Sequence, residues 1–159
     1  MDRREFIGVV TASCLGSQLL SEEEVNHEVN YISENIACAN VLKINYKNGN
    51  GRVYSDKVVD EIIENFERIK FIYGRLDDLN CPFTLKNVSH FVYDFSVEND
   101  FLVAHVKILD TEKGRILKKF KNEYVFRTCG EGKVENGKVH DYRLIAVDAV
   151  KKVQATSLC

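Results

Sequence analysis

Residues Asn87–Lys119 read NVSHFVYDFSVENDFLVAHVKILDTEKGRILKK, and after a short gap Arg127–Val150 read RTCGEGKVENGKVHDYRLIAVDAV. From His90 onward the apolar residues recur at every second position. Phe91, Tyr93, Phe95 and Val97 predict one face of a strand, Glu98–Asp100 a turn, and Leu102, Ala104, Val106 and Ile108 one face of the returning strand. Asn136-Gly137 is a two-residue hairpin signal between Lys133–Glu135 and a final strand, His140–Val150. Glu123–Thr128 supplies a further strand. So many strands with so few helices must close or stack to protect their edges.

Upstream, Ser55 caps a helix in which Val59, Ile62, Ile63, Phe66, Ile69 and Tyr73 recur at three- and four-residue steps, with Gly74 placed to stop it. Leu42, Ile44 and Tyr46 alternate with polar neighbours and predict a strand, followed by a glycine-rich turn over Lys47–Gly51. Ser21 with Glu22, Glu23 and Glu24 forms a capping box, and Val25, Val29, Ile32 and Ile36 fall on one stripe, which predicts a surface helix over Ser21–Asn35. Asp2–Ile7 imitates a twin-arginine export signal. We read the following Val9, Val10 and Thr11 as a first strand, because the apolar region breaks at Ser13, Gly16, Ser17 and Gln18. Residues 1–150 are expected to form one domain, with 151–159 a tail.

The composition is that of an ordinary globular chain: 159 residues, 45% hydrophobic and 29% charged. A formal charge of −2 gives no basic footprint for nucleic acid, so protein partners are expected. No stretch approaches the roughly eighteen apolar residues of a membrane span. The five cysteines include no CxxC pair, which is read as reduced thiols in a cytosolic compartment. A metal site would require Cys81, Cys129 and His90 to converge through folding, and none is expected.

Six pieces occur in a fixed order: Asn48–Ser55 (NGNGRVYS), Gly74–Asp78 (GRLDD), Val88–His90 (VSH), Ile108–Lys118 (ILDTEKGRILK), Gly130–Gly132 (GEG) and Asp141–Val150 (DYRLIAVDAV). In that order they resemble the prohead proteases of tailed phages. These are serine proteases of the herpesvirus-assemblin type, which cleave scaffold and capsid proteins inside an immature head. The resemblance covers roughly residues 36–150. It implies an α+β fold, a compact and mainly antiparallel β-barrel with flanking helices, needing no cofactor. It also implies partners among phage capsid, scaffold or other virion proteins, possible self-association, no nucleic acid or membrane, and a place in the virion or the host cytoplasm.

The chain departs from the family pattern at both chemical positions. Where such enzymes read GELDHP-like, with histidine as general base, Asp78 stands at the histidine. Where they read VSSRG-like, counting back from Gly130 puts Arg127 on the serine and Thr128 beside it. A guanidinium has no acceptor and stays charged, so it is neither nucleophile nor base. The helix between Gly114 and Gly130 is expected to be trimmed, and a slip of one residue there would put Thr128 in the nucleophile position.

The remaining candidates each carry two readings. Asp77 and Asp78 are a general-base pair or a solvated acidic loop; the loop is preferred. His90 is a vestige of the active site or a strand residue with its hydrogen bonds satisfied. His105 lies opposite the Leu102 face, exposed or lining the barrel. Cys129, beside Arg127 and the amides of Gly130 and Gly132, is a substitute nucleophile or a small strand residue. The resulting expectation is a pseudoenzyme that serves phage assembly structurally. Two alternatives stay open: an active protease using Cys129 or Thr128 with His90, and a regulator of a phage-encoded protease.

Overall fold

The computed structural model describes residues 27–48, 50–77 and 86–152. Among these residues seven strands and two helices follow in the order β1 (Val29–Tyr31), β2 (Ile36–Lys43), α1 (Asp56–Ile69), β3 (Ile72–Arg75), β4 (Val88–Glu98), β5 (Phe101–Ile108), α2 (Glu112–Lys119), β6 (Tyr124–Glu135) and β7 (Lys138–Lys151). A single 3-10 turn at Lys121–Glu123 joins α2 to β6. The first five strands form one antiparallel sheet in the order β1-β2-β5-β4-β3, and β6 with β7 forms a separate ribbon.

Local chemistry explains most element ends. The Ser55 side chain accepts from the Val58 amide, and α1 stops at Lys70, whose φ of 74° is left-handed. The helix therefore ends before Gly74, which lies inside β3. Thr111 caps the short α2 by accepting from the Gly114 amide. Asn136 and Gly137 turn β6 into β7 with φ of 52° and 79°, as a type I′ turn requires.

The expected helix over Ser21–Asn35 is not formed where it is described. Val29–Tyr31 instead pairs antiparallel with Ala37–Ala39, since its branched and aromatic residues suit a half-buried edge strand; residues 21–26, like Val9–Thr11, lie outside the described residues. The strand expected at Leu42–Tyr46 begins earlier, at Ile36, and ends at Lys43. The face expected to unite Phe91, Tyr93, Phe95 and Val97 is split. A register shift between Val92 and Asp94 turns Phe91 and Tyr93 to the outer side, buries Phe95 and leaves Val97 exposed.

The core lies between the large sheet, the ribbon and the helices. Ala39, Val92, Phe95, Leu102, Ala104 and Val106 meet Tyr124, Phe126, Val147 and Ala149, with Val58, Val59, Ile62 and Phe66 of α1 and Leu117 of α2 closing the ends. Fully burying an aliphatic or aromatic side chain of this size contributes about 1.5–3 kcal/mol.

Among the described residues the closed barrel expected from the sequence is not found: the fold there is mixed, with mostly antiparallel sheets and two helices. Large sheet and ribbon join through an isolated parallel bridge, Leu76 to Ala149. The seam stays short because β3 has four residues and its last backbone amide, on Arg75, donates to the Asp148 carboxylate rather than to a strand carbonyl.

Candidate functional site

Of the residues singled out by sequence, Asp77, His90, Arg127, Thr128 and Cys129 gather around the seam of β3, β4, β6 and β7, whereas His105 lies on β5 on the outer face of the large sheet. Along the ribbon Arg127 lies opposite Asp148, Thr128 opposite Val147 and Cys129 opposite Ala146. Arg127, Thr128 and Cys129 are all buried. From β3, Arg75 reaches Asp148 three times: its backbone amide donates to Oδ1 at 2.8 Å, Nε to Oδ1 at 3.1 Å and Nη2 to Oδ2 at 2.8 Å. Nη2 also lies 3.9 Å from the Cys129 sulfur. Burial pushes the Asp148 carboxyl up, while its hydrogen bonds and charge pairing with Arg75 pull it back down. This pair was missed in the sequence, although an aspartate inside the apolar run LIAVDAV signals a buried charge that must find a cation.

His90 lies on the other side of the ribbon, fully buried, its ring edge-on to Phe126 with centroids 4.9 Å apart. Its Nε2 is 2.6 Å from the Val147 carbonyl, and Nδ1 is 2.7 Å from the Ser89 hydroxyl. A carbonyl only accepts, so Nε2 carries the proton and Nδ1 accepts from Ser89. Burial, set against the Val147 bond, lowers the imidazole to about 4. Gly74 makes the contact possible: a Cβ there would stand 2.0 Å from both His90 Nε2 and the Val147 oxygen. Ser89 and His90 thus copy the hydrogen bonding of a nucleophile and its base, but both are fully buried and no substrate reaches them.

Asp77 accepts a 2.9 Å hydrogen bond from the Tyr124 hydroxyl, and its amide donates to the Ala149 carbonyl, so it is tied into the seam rather than solvated. Burial, and then Asp77, raise the Tyr124 phenol. Asp78 and Cys81 lie outside the described residues. Cys129 is disulfide-bonded, against the expectation of reduced thiols, and its partner lies outside the described residues. In that state it is no nucleophile. Among the described residues no group of three or more His, Cys, Asp or Glu could hold a metal ion.

Away from the seam, α1 and β7 border a groove of about 470 Å3, lined by Ile62, Phe66, Ile69, Ile72 and Leu144 with Arg68, Arg143 and Asn65. Among the described residues its lining contains no nucleophile or general base.

The fold is similar to that of a phage capsid assembly protease. A solved structure similar to it is the bacteriophage T4 capsid assembly protease gp21, with a TM-score of 0.58 and 14% identity over 72% of this chain and 80% of that one. No family model and no curated protein matches the chain. At this identity the likeness establishes the fold, and what each residue does rests on the geometry. No helix among the described residues is long and apolar enough to cross a membrane.

Proposed function

We propose that this chain is a prohead-protease-fold protein that serves assembly of a phage particle without cleaving peptides, in contact with capsid, scaffold or other virion proteins. The observation that carries this reading is the closed state of the seam. Arg127 lies buried opposite Asp148, Asp148 is bound by Arg75, and both nitrogens of His90 are engaged in the interior. The Arg75–Asp148 pair and the His90–Val147 hydrogen bond hold strands together. On this reading the protein works in the virion or the host cytoplasm.

The test is intact-mass analysis of the protein incubated alone and with the scaffold and capsid proteins of its phage, beside Thr128→Ala and Cys129→Ala variants. Unchanged masses together with stable co-purification of a capsid or scaffold protein are expected. Specific cleavage lost in one variant would overturn the reading and favour a protease with relocated residues. Binding to a phage protease in place of capsid proteins would favour the regulator.

A further inference from the structure

Cys38 of β2 and His105 of β5 are direct cross-strand partners on the outer face of the large sheet, opposite the buried Ala37, Ala39, Ala104 and Val106. The Cys38 sulfur is a free thiol, half-buried, 3.4 Å from His105 Nδ1. His105 Nε2 is 2.9 Å from the Ser96 hydroxyl, which donates at 2.9 Å to Oε2 of Glu98. The carboxylate fixes every proton in this row. Glu98 only accepts, so the Ser96 hydrogen points to it and Ser96 accepts from His105 Nε2–H; Nδ1 is then a lone pair facing the thiol. Nucleophile, base and orienting groups therefore stand in the sequence that covalent catalysis uses.

We infer that Cys38, His105, Ser96 and Glu98 form a nucleophilic centre that accepts an acyl group from an activated ester or thioester of an aromatic or apolar acid. The thiol is held protonated by its partial burial and by the charge of Glu98, which raise it above its ordinary value. The base must therefore take its proton during attack. As the Cys38 sulfur bonds to the acyl carbon, its proton passes to Nδ1, and Glu98, through Ser96, stabilises the imidazolium. When the carbon–oxygen or carbon–sulfur bond of the donor breaks, His105 returns that proton to the departing alcohol or thiol. The products are acyl-Cys38 and the free leaving group, with no change of oxidation state.

The acyl class follows from the surface beside the centre. The Tyr93 ring lies 6.1 Å from that of His105, and Phe91, Tyr73 and Phe71 continue the row, each 5.1–6.4 Å from its neighbour at edge-to-face angles. Phe71, Tyr73 and Tyr93 are exposed. Such a row offers an aromatic acyl group a flat apolar bed.

The test uses the full chain with p-nitrophenyl phenylacetate and p-nitrophenyl acetate, reading nitrophenolate release and mapping the acyl adduct by peptide mass. Expected are a stoichiometric burst that places the acyl group on Cys38, faster with phenylacetate, and its loss in Cys38→Ala. His105→Gln should slow the burst by about 100-fold, the lower end of general-base contributions. Added imidazole should partly restore His105→Ala. Ser96 acts as a positioning residue: Ser96→Ala should slow acylation and Ser96→Thr restore it. An unchanged burst in His105→Gln, or acylation of other cysteines as fast as of Cys38, would overturn the proposal. Because the centre shares no residue with the seam, its failure leaves the assembly reading intact, and the converse holds.

Discussion

Acidification should weaken the fold through His90. Its imidazole falls from an ordinary 6.5 to about 4, a difference that amounts to about 3 kcal/mol at 1.36 kcal/mol per unit. The folded state resists the proton that the unfolded chain binds, so this contribution is fully present above pH 6.5 and is lost as pH falls toward 4. Structurally, protonation would turn Nδ1 into a donor facing the Ser89 hydroxyl, which would have to swing toward the Gly74 carbonyl, 3.4 Å away. Against a total stability of about 5–15 kcal/mol this is a large fraction. Urea unfolding of the native chain and of His90→Gln at pH 7 and pH 4.5 isolates the effect. His27, which burial and Arg127 lower to about 3, contributes in the same direction to both chains and cancels in the difference. Between these two pH values the native chain should lose about 2 kcal/mol more than the variant, the remainder being lost below pH 4.5. Equal acid losses, or a His90 imidazole titrating near 6.5 by NMR in the folded protein, would refute the reasoning.

Two further predictions concern the same seam. Gly74→Ala would push a methyl group against His90 and the Val147 carbonyl and should cost about 3 kcal/mol or more by denaturant unfolding; a loss below about 1 kcal/mol would mean that the His90–Val147 contact is dispensable. Arg75→Met should cost about 3–5 kcal/mol because it strands a buried carboxylate, whereas Arg75→Met with Asp148→Leu should recover most of that loss in a double-mutant cycle. A double variant as unstable as the sum of its single changes would contradict the pairing.

The parts of the fold that depend on local chemistry were legible in the sequence. Ser55, the Asn136-Gly137 turn and the two-residue period of Leu102–Ile108 each act within a few residues of themselves, and α1, the β6–β7 turn and β5 follow from them. What was not legible depends on distant partners. Val29–Tyr31 is a strand only because Ala37–Ala39 lies beside it. The bulge near Tyr93 answers to the register of β5 and inverts the face on which Phe91 and Phe95 lie. At the site, the positions of Arg127, Thr128 and Cys129 in one buried strand were readable. That Arg75 would claim Asp148 was not, because 73 residues separate them and nothing near Arg75 in the chain demands a carboxylate.

That separation also bears on the order in which the molecule assembles. The β6–β7 ribbon can fold on its own turn, and β4 with β5 on the turn at Asn99 and Asp100, each needing only short-range closure. The seam requires the two pieces already shaped, since Arg75 must find Asp148 across 73 residues of chain and Asp77 must find Ala149. Contacts of such high sequence separation form late and set the pace of folding. The amides of Arg75 and Asp77, which donate to Asp148 and Ala149, are therefore the hydrogen-exchange reporters of the ribbon's attachment and release.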